Sequence, residues 1–306
     1  MTTMTNDTRR LWIPGGRGML GSLLARRAAA EGFIVLPTGR DVDAADHAVV
    51  DAFVAEHRPT HVINCAAWTA VDRAETEQAA AHRDNAILPG VVGAAAARIG
   101  AHALHVSTDY VFAGAAPEPE RGLREDDPTE PVSVYGATKL AGERAFLDAT
   151  EGRGLIVRTS WLYGPGGKNF VTTMLRLLAE RDELAVVADQ RGRPTATSTL
   201  AGALLCLLPV ADGGIVHVAD EAGPRGISWH DFATAIRAGA LRRGFPVKAQ
   251  TIRAIPTSAY PTPARRPAWS VFDTTRYTGL TGQTLPSWEH TLAAYLDEVI
   301  AASDAR

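Results

Sequence analysis

Over its first 160 residues the chain alternates short apolar runs with longer stretches of helix-forming residues, and few folds accept that order. Leu11–Pro14, Phe33–Pro37, the run THVINCAA, Ala103–Ser107 and Leu155–Ser160 read as buried strands. Met19–Glu31, Ala48–His57, Gln78–Ile99 and Ser133–Ala149 read as helices. Strands that alternate with helices pair in parallel, so the pattern predicts an α/β fold: a doubly wound parallel sheet of Rossmann type with helices on both faces. Beyond Tyr163 the clusters GPGG, GRP, DGG and PTPARRP loosen the order, while helices are still predicted at Phe170–Arg181, Thr199–Leu208, Trp229–Gly239 and Trp288–Ala301. The expected division is a nucleotide-binding domain over residues 1–163 and a smaller α/β substrate lobe over 164–306, with segments returning to the first domain.

With 306 residues the chain can bury a sizeable core. A net charge of -3 with 21% charged residues offers no basic excess for nucleic acid or an anionic membrane, which favours a small-molecule partner. No apolar run approaches the roughly 18 residues of a membrane span. The opening MTTMTNDTRR lacks the apolar stretch of a secretory signal. Cys65 and Cys206 each sit in an apolar run and read as buried, reduced thiols, so a cytoplasmic protein is expected. These features leave a homodimer open.

Gly15-Gly16-Arg17-Gly18-Met19-Leu20-Gly21 places glycines at its first, fourth and seventh positions between a strand and a helix. Glycine permits a tight turn and the close approach of a phosphate, whose charge then faces the unpaired N–H groups of the helix start. A purely structural turn is the alternative. The second strand ends Pro37-Thr38-Gly39-Arg40, and an arginine there can pair with an adenosine 2'-phosphate, with Arg17 assisting. NADPH is therefore favoured over NADH, although Asp41 and Asp43 stand close by.

In Ser133-Val134-Tyr135-Gly136-Ala137-Thr138-Lys139 the tyrosine and lysine are spaced to share one helix face, with Ser133 as a candidate cap. A nearby ammonium stabilises a phenolate and moves the phenol toward the working pH range. A surface pair is the alternative. Upstream, Ser107-Thr108-Asp109 ends a strand in polar residues, where an open parallel sheet presents its ligand-facing groups, and Thr108 can bond the carbonyl that Tyr135 protonates.

The segments GGRGMLG, INCAAWTAVDRAE, HVSTDYVFAG, YGATKLAGE, RTSWLYG, NFVTTML, DQRGRPT and YPTPARRP together resemble the extended short-chain dehydrogenase/reductase family, and within it the reductases of dTDP-4-keto-6-deoxysugars, from about Leu11 to about Leu296. The resemblance implies reduction of a C4 keto group by hydride from NADPH or NADH, with dTDP-4-dehydro-6-deoxy-L-mannose as substrate and dTDP-L-rhamnose as product. Tyr135 would protonate the new alkoxide, Lys139 would hold ribose and tune Tyr135, and Thr108 would orient the carbonyl. Cofactor would lie along Gly15, Gly18, Met19 and Leu20, with Asp43 and Ala44 near the adenine and Ala66, Ala67, Trp68 and Thr69 lining its path. Substrate would meet Thr108, Asp109, Tyr135, Trp161 and Asn169, with Arg265 or Arg266 for the diphosphate. Arginine suits a diphosphate and Trp161 offers a flat face, although a solvated pair, a core aromatic and, for Asn169, a helix cap are the bland counterparts.

Pro14 before the glycine turn and the long acidic loop Ala113–Glu130 depart from the family pattern. No acidic cluster calls for a metal, so none is expected. Three rivals stay open: a sister 4-ketoreductase making dihydrostreptose or an antibiotic sugar, an epimerase or dehydratase using Thr108-Asp109, and a non-catalytic NADP-sensing subunit.

Overall fold

The computed structural model describes residues 9–115, 121–210 and 213–304. Most of the polar opening (residues 1–8) and residues 116–120 of the acidic loop lie outside the described residues. Six parallel strands form the main sheet: β1 (Arg10–Pro14), β2 (Ile34–Thr38), β3 (His61–Asn64), β4 (His102–Thr108), β5 (Leu155–Thr159) and β6 (Gly214–His217), in the order β6-β5-β4-β3-β1-β2. The chain leaves β1 toward β2 on one side and continues through β3 on the other. That reversal opens a crevice beyond the carboxyl ends of β1 and β3, the place where such sheets bind ligands.

Both faces of the sheet are covered, which is why its strands are apolar throughout. On one face Leu11, Ile13, Leu104, Leu155 and Val157 pack against α1 (Met19–Ala30) and Leu200 and Leu204 of a later helix. On the other, Trp12, Val62, Ala103 and Ile156 meet α2 (His47–His57), α3 (Leu88–Arg98) and Phe146 of α4 (Val134–Ala149). Trp12 lies between Leu11 and Ile13, so it faces the opposite way, and its indole N–H reaches Thr38 Oγ1 at 3.0 Å.

A separate core joins α5 (Phe170–Glu180), α7 (Trp229–Arg242) and α8 (Trp288–Asp304) through Tyr163, Leu175, Leu178, Phe232, Ile236 and Leu296. Between α5 and α7 the chain returns to the sheet: α6 (Thr197–Leu207) supplies the leucines that cover α1, and β6 pairs with β5. The sequence pattern did not predict β6, whose four residues begin on Gly214 and carry too short an alternation to register.

The helix expected over Gln78–Ile99 is broken. Gln78–His82 gives way to a π-helical turn at Arg83–Ile87 before α3 begins. Pro89 explains the break, because it lacks the N–H that the Asn85 carbonyl would accept. Among the described residues no helix is long and apolar enough to cross a membrane.

Candidate active site

β4 ends at Thr108, Asp109 opens the short 3-10 turn that follows, and α4 starts alongside with Ser133 Oγ accepting the Gly136 N–H at 3.2 Å. The side chains of Tyr135 and Lys139 are buried on the inner face of α4. Gly136 is required here, since a Cβ would collide with the Tyr110 carbonyl oxygen just beyond the strand end. That close approach brings Tyr135 to Thr108. The Thr108 hydroxyl, close to the phenol, donates to Asp109 Oδ1 at 3.0 Å and accepts the Tyr110 N–H at 3.3 Å, while the Tyr110 ring stands edge-on to Tyr135 at 5.2 Å. Thr108 and Asp109 thus lie at the junction of β4 with the first turns of α4, which carry Tyr135 and Lys139.

Their electrostatics differ from expectation. Burial pushes the Tyr135 phenol up to about 12, against a smaller lowering by Thr108, and pushes the Lys139 ammonium down to about 8. Burial, rather than a neighbouring charge, dominates the phenol here. Lys139 Nζ is directed to the Val106 carbonyl oxygen at 2.8 Å and to His105 Nε2 at 3.2 Å. Burial likewise raises Asp109 to about 6. Behind Lys139, Glu143 is clamped by Arg158 through contacts of 2.9 and 2.7 Å, both side chains being only 2% exposed.

Across the crevice, each glycine of the turn has its own reason. Gly15 has φ +75°, and a Cβ there would stand 2.6 Å from the Ala66 nitrogen. Gly21 sits too close to the Gly15 carbonyl for any side chain. Gly18 is different: a Cβ would meet only the Gly15 oxygen, at 3.3 Å, and no side chain caps the start of α1. The first turn, with Met19 and Leu20, therefore offers bare N–H groups suited to a diphosphate.

At the end of β2, Arg17 pairs with Asp41 at 2.9 Å, while Arg40 is exposed and forms no ion pair among the described residues. Asp43 is held by Arg83 and by the Ala45 N–H, and Ala44 is buried in the core against Trp12. Two buried asparagines, absent from the candidates read in the sequence, hold the loop from Ala66 through Ala67 and Trp68 to Thr69. Asn64 Oδ1 takes the Ala66 N–H at 3.0 Å and Asn85 Oδ1 takes the Trp68 N–H at 2.9 Å. A polar residue inside the apolar run HVINCAA was the available signal for Asn64, because a buried amide needs partners.

The substrate-side candidates divide. Trp161 has a left-handed φ of +48° and stacks on Trp229 at 3.5 Å, so one of its faces is already covered. Asn169 caps α5: its Oδ1 accepts the Thr172 N–H at 3.1 Å, and its amide nitrogen reaches Gly164 O at 2.8 Å and Tyr295 Oη at 3.1 Å. With these bonds its side chain is committed to the fold, which makes the cap the better description than a substrate ligand. Arg266 is clasped by Asp72 at 2.8 and 3.1 Å, whereas Arg265 is exposed and without an ion pair among the described residues.

The model of the RmlD substrate binding domain matches residues 9–301. The chain belongs to this family. Among RmlD-family relatives, a dTDP-4-dehydrorhamnose reductase of Streptomyces griseus is 42% identical, over 94% of both chains. A Streptomyces antibioticus protein described as a probable dTDP-4,6-dihydroxy-2-methyloxan-3-one 4-ketoreductase is 40% identical, over 96% of both chains. The crystal structure of dTDP-4-dehydrorhamnose reductase from Bacillus anthracis in complex with NADP is similar with a TM-score of 0.86 at 36% identity, covering 95% of this chain and 99% of that one. The parallel sheet with its crevice is thus the RmlD-family scaffold.

Proposed function

We infer that the protein is an NADPH-dependent reductase that converts dTDP-4-dehydrorhamnose to dTDP-L-rhamnose. The observation that carries this is the burial of Tyr135 and Lys139, one turn apart on α4 and close to Thr108 at the end of β4, in an RmlD-family chain whose α1 starts without a side-chain cap. Bound NADPH supplies the hydride. The residues present suit it: Gly15, Gly18, Met19 and Leu20 for the diphosphate, Arg40 with Arg17 for the 2'-phosphate, Ala66–Thr69 along its path, and Lys139 for ribose hydroxyls.

Tyr135 hands its proton to the C4 oxygen. An alkoxide is far more basic than a phenolate, so a phenol held at about 12 keeps its proton at neutral pH and still releases it downhill. Thr108 holds that phenol and the carbonyl oxygen together. The Lys139 charge stabilises the phenolate that remains. Arg265 is the candidate for the sugar diphosphate, and the half-buried Trp161 the candidate for the sugar or base. We place the protein in the cytoplasm, where the free thiols Cys65 and Cys206 stay reduced.

A sister 4-ketoreductase is the second reading, supported by the 40% identical 4-ketoreductase relative. The test supplies dTDP-4-keto-6-deoxyglucose with and without a 3,5-epimerase, follows NADPH oxidation and identifies the sugar. Oxidation only with the epimerase, giving dTDP-L-rhamnose, supports the first reading. A different product sugar selects the second.

A further inference from the structure

Strands β3 and β4 pair with Asn64 opposite His105, and both side chains are fully buried next to Lys139. Because Asn64 Oδ1 accepts the Ala66 N–H, its amide nitrogen turns toward His105 Nδ1, at 3.0 Å. An amide nitrogen only donates, so Nδ1 must be the acceptor. Burial is the larger cause that holds the ring well below the ordinary imidazole range, and a charged Lys139 only adds to it, so the ring is neutral in either lysine state and, with Nδ1 accepting, its one proton sits on Nε2. Nε2 is the atom 3.2 Å from Lys139 Nζ. Two N–H groups cannot share one hydrogen bond. An Nε2–H therefore calls for a lone pair on Nζ, which the amine has and the ammonium lacks, while Nζ still donates to the Val106 oxygen.

We propose that Asn64 and His105 are positioning residues for Lys139: Asn64 locks His105 as the Nε2–H tautomer, and that tautomer aims the lysine and disfavours its charged form. The other groups facing Lys139 leave this role to the imidazole. Glu143, on the same helix, favours the charge but is neutralised by its buried pair with Arg158. Burial pushes the Cys65 thiol and the Tyr135 phenol each up to about 12, so neither carries charge near neutral pH. The rival arrangement is a proton on Nδ1 directed to the main-chain carbonyl of Asn64, which also faces the ring. The proposal rests on placing Lys139 in the reduction site.

Ring 15N spectra of the full-length protein, with His105 assigned by its loss in His105→Gln, read the tautomer without substrate. A protonated Nε2 and a bare Nδ1 support the proposal; a protonated Nδ1 overturns it. In Asn64→Asp the carboxylate can only accept, so the proton should move to Nδ1 and leave Nε2 free to accept from the ammonium. The alkaline limb of kcat/KM for dTDP-4-dehydrorhamnose should then rise by about one pH unit, the worth of one hydrogen bond to a charged group. A swapped tautomer with the limb unmoved overturns the link to Lys139. A wild-type protein inactive on that sugar would sink the functional reading alone, since the tautomer is read without it.

Discussion

Lys139 Nζ rests 2.8 Å from the main-chain oxygen of Val106, on the floor of the site, with burial holding the ammonium down to about 8. The charge that steadies the Tyr135 phenolate is present below that pH and lost as pH rises through it. The kcat/KM of the wild-type protein should therefore fall on the alkaline side near pH 8. Lys139→Met should lower kcat/KM by about 100-fold or more and abolish that limb. A Lys139→Met profile with the wild-type alkaline limb would show that another group titrates there.

Tyr135→Phe removes the proton donor while keeping the ring packed against Tyr110. We expect kcat to drop by roughly 100- to 10,000-fold, with NADPH affinity, followed by its fluorescence, close to wild type. Turnover within a few-fold of wild type would rule out the phenol as the acid.

Arg40 is exposed at the end of β2 and without an ion pair among the described residues, while its neighbour Arg17 is engaged by Asp41. Arg40→Ala should weaken NADPH by about tenfold or more, one charge-assisted bond to phosphate, and leave NADH nearly unchanged. Comparing the KM of the two cofactors in wild type and variant decides it; equal losses would mean Arg40 does not read the 2'-phosphate.

Asn169 separates a cap from a substrate ligand. Asn169→Ala should cost about 1–2 kcal/mol of stability in urea unfolding through the lost cap of α5, and leave the KM for the sugar within a few-fold. A large rise in KM with unchanged stability would restore Asn169 as a substrate contact.

Glu143 and Arg158 form a buried pair, and removing one partner strands the other's charge. Glu143→Leu should cost about 3–5 kcal/mol, while the double change Glu143→Leu with Arg158→Met should recover most of it. Denaturant midpoints of the three proteins provide the check.

Much of this protein is legible in local sequence. A strand, a glycine turn and a helix specify one another within about 20 residues, so β1, α1 and the bare N–H groups beside Gly18 follow from residues 11–30 read in order. The spacing of Tyr135 and Lys139 places them on one face of α4 by helical geometry alone. Thr108 and Asp109 follow from their position at the end of a strand.

What local pattern could not decide is where each side chain spends its hydrogen bonds. Asn169 reads equally as ligand or cap until Gly164 and Tyr295 are brought to it, and Lys139 reads as the partner of Tyr135 until β4 delivers Val106 and His105 beneath it. Sequence alone determined the order of strands and helices and which residue types meet at the crevice, because those depend on periodicity and on the conformational freedom of glycine. Only the tertiary structure decided the membership of β6 in the sheet, the cover on Trp161 and the charge environment of Tyr135 and Lys139. Burial and pairing arise between residues far apart in the chain, and the free energy of a buried polar group is set by its partners there.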